Sequence, residues 1–394
     1  MKISKKLAGA GLLFASSSAF AAYAIHTASD AAPNGPGTVR ITAPKAASTS
    51  AIPSAPLASA SDVQTAVEDK CAPIRAAVDA ARLENVAVIF GNGDGELCRY
   101  KKGAIEYDQK LALASATKLL TGILSYRMIQ AGKITAGAHP QQYFGYWTSS
   151  ASDNRSQITL EHLLAFTSGF NTRDTNLLSC VYNAYTTLDL CIRRIYIGNV
   201  DTVPGSTFFY GPHHMQVAAG MLDAADTGDF GTIFARYVTT PLGLIDTSYA
   251  LQSAANPWAA AGGESTAEEY SVIMRALLNG TLITDLDNFF APRTLTATKG
   301  EVPDAVLANN GSQWEYAQGS WVECEYGTGG ANYATQCATD KINSSPGAWG
   351  FTPWIDRKNG YWAVIATEDH DSGAEKGIEL EQVLQPLMVT ALQP

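Results

Sequence analysis

Apolar residues along this chain change period several times, and each change predicts an element. Residues 63–81 carry apolar side chains at helical spacing, interrupted by Pro73. They lead into Val86-Ala87-Val88-Ile89-Phe90, a short β-rich run that reads as a strand. Gly91-Asn92-Gly93-Asp94-Gly95 supplies a turn, and residues 97–100 read as the returning strand. Helical spacing then resumes: Leu119, Leu120, Ile123, Leu124 and Met128 recur at three and four, and Gly132 is placed to stop the helix. From about 159 to 279 the pattern is mostly helical, with helices expected at 160–165, 214–224, 230–238 and 267–278. Two aromatic and β-branched runs follow at 348–355 and 361–367, joined by Asp356-Arg357-Lys358-Asn359-Gly360, a strong hairpin signal. A closing helix is expected over 374–392, which Pro386 should end or kink. The predicted fold class is α/β in the α+β sense: an antiparallel sheet of N- and C-terminal strands flanked by helices, with a mostly helical inserted subdomain at about 133–300.

The first residues alter this picture. Lys2, Lys5 and Lys6, then an apolar stretch to Phe20, then Ala21, follow the order of a secretory signal peptide, so 1–21 is expected to be cleaved on export to the periplasm or beyond. That stretch is short and broken by Gly9, Gly11 and Ser16-Ser17-Ser18, and no stable membrane span is expected. Residues 22–61, dominated by Ala, Ser, Pro, Thr and Gly, read as a disordered low-complexity linker, because they cannot bury enough surface to offset their ordering entropy. This leaves 62–394 as the folded domain.

Six cysteines in an exported chain point to disulfides, and the sequential pairing Cys71–Cys98, Cys180–Cys191 and Cys324–Cys337 closes three short loops. The net charge of −10 makes nucleic acid and anionic lipid poor partners. No metal or organic cofactor is implied, and no Gly-x-Ser-x-Gly elbow occurs.

The candidate chemistry sits at the start of the 119–128 helix. Ser115-Ala116-Thr117-Lys118 is the one Ser-x-x-Lys in the chain. Residues three apart share a helix face within about 5–6 Å, so the Lys118 amine can reach the Ser115 hydroxyl without help from a distant loop. Acyl transfer by such a pair needs a second proton carrier and backbone donors for an oxyanion. Tyr210 is the candidate for the first. Ser345, Gly347 and Ala348, at the mouth of a late strand, join the amide of Ser115 as candidates for oxyanion and substrate binding.

In this order the motifs resemble the serine β-lactamase and penicillin-binding-protein superfamily, on the side of class C β-lactamases, family VIII esterases and related hydrolases. Ser115 and Lys118 match its Ser-x-x-Lys, Tyr210 its Tyr motif, and Ser345-Pro346-Gly347 its Gly-containing strand motif. Residues 163–170, Leu-Leu-Ala-Phe-Thr-Ser-Gly-Phe, look like its Leu-Leu-x-His-Thr-Ser-Gly segment with Phe166 in place of His. Two departures bear on the substrate. Pro212 stands where the family usually has an Asn that helps hold a substrate amide, and Ser345 where it usually has a Lys or His that helps bind a substrate carboxylate. The resemblance implies a serine hydrolase acting on a small-molecule or peptide acyl substrate, with an esterase ahead of a peptidase or lactamase. The same departures suit a second expectation, a catalytically silent protein of this fold that binds a cell-wall fragment or a protein partner. Trp314, Trp321, Trp349 and Trp354 are candidates for an apolar pocket or for core packing.

Overall fold

Two hairpins far apart in sequence pair side by side in the computed structural model, which describes residues 60–170, 180–198, 200–324 and 341–393. The expected signal segment and nearly all of the expected linker lie outside the described residues. The strands are β1 Val86–Asn92, β2 Glu96–Lys102, β3 Leu111–Ala112, β4 Thr207–Phe209, β5 Glu264–Ser265, β6 Thr298–Glu301, β7 Glu315–Tyr316, β8 Trp321–Glu323, β9 Ile342–Ser344, β10 Thr352–Asp356 and β11 Tyr361–Ala366. Seven of them form one sheet in the order β2-β1-β11-β10-β9-β8-β7. Every neighbouring pair in it is antiparallel, and β1 meets β11 with Ile89 opposite Val364. The early and late strands therefore share one sheet, as the pattern predicts.

The interior strands of that sheet are buried on both faces, which explains why β1 and β11 read as unbroken apolar runs. Ala87, Ile89, Trp362 and Val364 face one core together with helices α2 (Thr117–Gln130) and α7 (Ala267–Leu278). Val88, Phe90, Ala363 and Ile365 face a second core, closed by α1 (Ala60–Ala80) and the C-terminal α9 (Gly373–Ala391). Between the two halves of the sheet run α3 (Leu160–Leu164), α4 (Leu188–Ile197), α5 (Pro212–Ala225) and α6 (Phe230–Phe234), then α7 and, after β6, α8 (Asp304–Ala308). Among the described residues no helix is long and apolar enough to cross a membrane.

Both prolines that the pattern treats as breaks lie inside continuous helices, Pro73 in α1 and Pro386 in α9. Each is exposed. The carbonyl that loses its N–H partner is thus on the water side, while Ile74 and Val78 of α1 and Leu380, Leu384 and Met388 of α9 anchor the buried faces. Gly132 ends α2 as expected, with φ of 68° in the left-handed region.

Cys71 pairs with Cys98 and Cys180 with Cys191. Cys324 is disulfide-bonded, and Cys337, its expected partner, lies outside the described residues.

Candidate active site

Ser115 does not lie in the first turn of α2 but in a 3-10 turn, Ala114–Ala116, that feeds it. Ala114 has φ of +44°, a left-handed conformation that costs a non-glycine residue on the order of 1–3 kcal/mol. The surroundings hold it there: Leu113 donates to the carbonyl of Gly263 at 2.9 Å, and Ala116 to that of Leu113 at 3.1 Å. The bend turns the chain out of β3 so that Ser115 stays half-buried while Ala114 and Ala116 are buried.

Lys118 follows in the first turn of α2, a helix buried on almost every side, and is itself only 4% exposed. Its Nζ donates to Ser115 Oγ at 2.8 Å and to the carbonyl of Ala260 at 2.9 Å. It also stands 4.7 Å from the centre of the Tyr210 ring. Desolvation pushes this amine down from 10.5 to about 7, because water no longer solvates the charged form.

Tyr210 is carried by backbone pairing. Phe209, the last residue of β4, donates to the carbonyl of Phe166 at 2.9 Å, and Tyr210 to that of Glu301 at 3.0 Å. Pro212 then starts α5 at a position where its missing N–H costs nothing. The Tyr210 ring stacks on Trp321 at 5.5 Å with 12° between planes, and Phe166 meets it edge-on at 5.3 Å. Burial raises the Tyr210 phenol above its ordinary range, partly offset by hydrogen bonding to Ser115. It is a phenol at neutral pH.

The third segment arrives at the mouth of β9. Gly347 packs so closely on the carbonyl of Leu113 that a Cβ would sit 2.3 Å from that oxygen, which explains glycine there. Its amide donates to the carbonyl of Phe351 at 2.8 Å. Ala348 is exposed and lines the cleft beside Ser115 and Tyr210. Ser345 turns inward: it is 3% exposed, and its Oγ donates to the carbonyls of Ser115 at 3.2 Å and Gly319 at 3.4 Å. The hydroxyl at this position braces the Ser115 turn.

Ser115, Lys118, Tyr210 and Ala348 thus meet at one cleft, from stretches that span over two hundred residues of chain. The tryptophans divide. Trp321 lines the cleft, Trp314 is buried 6.3 Å from it, Trp354 belongs to the core between the sheet and α9, and Trp349 lies against His370. Sequence reasoning missed the Ala260 carbonyl and the parts of α8 and α9 that wall the cleft. A backbone acceptor leaves no side-chain signal, and Ala305, Val306, Ala374 and Ile378 look like ordinary helix residues.

The family model described as Beta-lactamase matches residues 74–385, most of the chain. The chain belongs to the beta-lactamase family. It is accordingly a serine hydrolase with the mixed α/β architecture of that fold. Solved structures agree on the fold. A candidate beta-lactamase of Bacteroides dorei is 20% identical, covering 80% of this chain and 96% of its own, with a TM-score of 0.66. EstCE1, a hydrolase with promiscuous acyltransferase activity, is 15% identical, covering 84% and 99%, with a TM-score of 0.64. A D-stereospecific amidohydrolase of Streptomyces is 15% identical, covering 80% and 97%, with a TM-score of 0.57. No curated protein matches the chain by sequence. Activities that differ this much on one fold leave the substrate to be argued from the site.

Proposed function

We propose that this protein is an exported serine hydrolase that cleaves esters through a Ser115 acyl-enzyme, with Lys118 as general base and Tyr210 as general acid. The observation that carries the reading is the Lys118 amine, buried, 2.8 Å from Ser115 Oγ and lowered by desolvation to about 7, so that a large share of it is unprotonated at neutral pH. A neutral amine has two N–H groups and one lone pair. In the neutral amine the Ala260 carbonyl keeps one N–H, and rotation about the Cε–Nζ bond turns the lone pair toward Ser115 Oγ to take its proton.

Ser115 Oγ bonds the carbonyl carbon as its proton passes to Lys118 Nζ, and the carbonyl electron pair moves onto oxygen, facing the amides of Ser115 and Ala348. Losing one such donor typically costs roughly 3–4 kcal/mol of transition-state stabilisation. On collapse the bond to the leaving oxygen breaks, Tyr210 gives that oxygen its proton, and Lys118 returns one to Tyr210. Water then attacks the acyl carbon, its proton taken by the same pair, and Ser115 leaves with a proton restored.

Preference for esters rests on the two departures. Pro212 has no side-chain donor for an amide, and the Ser345 hydroxyl is engaged with backbone rather than aimed at a substrate carboxylate. Export is supported by the disulfides at Cys71–Cys98 and Cys180–Cys191 together with the N-terminal signal pattern.

Intact-mass spectrometry with a fluorophosphonate probe, followed by peptide mapping, tests the mechanism. One adduct on Ser115, absent in Ser115→Ala, is expected; folded protein that takes no adduct would point instead to a binding protein. Faster cleavage of nitrocefin than of short p-nitrophenyl esters would reverse the substrate order.

A further inference from the structure

The turn that follows α3 has no part in the proton transfers, yet it carries a buried polar contact. Phe166 and Ser168 of this turn and His214 of α5 are all fully buried. Ser168 Oγ and His214 Nδ1 are hydrogen-bonded at 2.8 Å, and the imidazole stacks on the Phe166 ring at 5.1 Å with 28° between planes. A histidine therefore stands against the segment in which Phe166 replaces one, and it arrives from another helix. Burial, with His213 beside it, pushes this imidazole from 6.5 down to about 3. It is neutral throughout the range in which Lys118 works, so it holds its neighbours and relays no proton.

Both ends of this contact lead to Tyr210. Phe166 has φ of 59°, a left-handed conformation that a bulky residue keeps only where its surroundings impose it. In that conformation its carbonyl accepts from the Phe209 N–H at 2.9 Å, and its ring meets Tyr210 edge-on at 5.3 Å. His214 lies in the first turn of α5, four residues after Tyr210, and the backbone of Phe209 sits beside its imidazole. The Ser168–His214 bond thus ties the turn to the helix that begins just after the phenol, with Phe209 and Tyr210 held between them.

We propose that His214, through Ser168 and Phe166, is a positioning residue that aims the Tyr210 hydroxyl at the departing oxygen. This assignment rests on the reading of Tyr210 as general acid. A proton donor must lie within hydrogen-bond reach of the atom it protonates, and misplacing it by about 1 Å can cost roughly 10²-fold in rate. The cost falls only on alcohols that need the proton: p-nitrophenolate leaves as the anion, whereas ethanol must be protonated as it departs.

The ratio of kcat/KM for ethyl acetate to that for p-nitrophenyl acetate tests it, on variants whose folding is checked by circular dichroism and thermal melting. Tyr210→Phe sets the scale and should lower the ratio by about 10²–10⁴-fold, the worth of a positioned proton donor. His214→Phe keeps a ring against Phe166 but loses the bond to Ser168, and should lower the ratio by ~10-fold. Ser168→Ala cuts the same bond from the other element and should match it. The double variant should fall no further than either single, because one interaction cannot be lost twice. His214→Asn, whose amide reaches the place of Nδ1, should recover most of the ratio. If Tyr210→Phe lowers the ratio while folded His214→Phe and Ser168→Ala lose rate equally on both esters, or lose none, His214 only packs the core and this assignment alone is overturned. An unchanged ratio in Tyr210→Phe would instead overturn the general-acid reading and the assignment with it, as would a wild type that turns over neither ester.

Discussion

Lys118 and the pair Glu323 and Glu381 are both ionisable, both buried, and put to different uses. At the cleft, desolvation alone holds Lys118 down to about 7, and its amine meets the half-buried Ser115 hydroxyl. On the far side of the sheet, Glu381 of α9 is fully buried against Glu323 of β8. Glu323 accepts from Ser344 Oγ and from Gln385 Nε2, the latter at 2.9 Å, and Glu381 faces both Glu323 and Gln385. Burial and the neighbouring carboxylate raise Glu381 well above its ordinary range, and burial raises Glu323. A proton held between the two carboxyls would satisfy both. Low dielectric disfavours charge in both regions. In the first, the group faces a hydroxyl at an open cleft, where the proposed mechanism uses it as a base; in the second it faces packed protein, where its protonation bears on stability.

The largest expected effect comes from taking away the base. Lys118→Met should lower kcat/KM for ester substrates by about 10²–10⁴-fold, the range for a positioned general base, while the protein stays folded. Near-wild-type turnover in that variant would end the contrast between the regions.

The pH dependence sharpens it, because the two regions have opposite signs. Ester kcat/KM should drop as pH falls through about 7, where Lys118 takes up its proton. Its folded pKa lies below the unfolded 10.5, so its unfavourable contribution to stability vanishes above 10.5 and grows as pH falls to about 7. Glu381 has a folded pKa above the unfolded 4.5, so its contribution is fully present below 4.5 and is lost as pH rises through the folded value. Denaturant titrations of the wild type and Glu381→Gln across pH 4 to 9 separate the two. The variant should be more stable than the wild type by about 1–3 kcal/mol at the alkaline end, with ester kinetics unaltered. Equal stability curves would mean that Glu381 is not held protonated.

The smallest expected change is at Ser345, which touches the site only through backbone. Ser345→Ala removes its two contacts to the carbonyls of Ser115 and Gly319 and should cost about 0.5–1.5 kcal/mol of stability. As a positioning residue it should lower kcat while leaving KM for neutral esters in place. A rise in KM alone would mean that its hydroxyl binds substrate directly.

Legibility followed the range of the interaction. Ser115 and Lys118 are visible together because one helical turn separates them. The β1 and β11 runs are visible because both faces of each strand are buried. Pro73 and Pro386 mislead because a proline breaks a helix only where its lost hydrogen bond cannot be replaced, and exposure of that side is a tertiary fact. The inward turn of Ser345 is hidden for a similar reason: the same hydroxyl faces substrate or backbone according to what β8 and the Ser115 turn place beside it.

Local periodicity and spacing determined the elements, the Ser-x-x-Lys pair and the order of the motifs, since those follow from dihedral geometry within a few residues. Tertiary structure decided the rest. It strained Ala114 so that Ser115 meets the cleft, and stripped water from Lys118. It stacked Tyr210 on Trp321, and brought α8 and α9 together as pocket walls. Desolvation and shape arise only when segments hundreds of residues apart exclude water from the same volume, and no short stretch of chain carries either property alone.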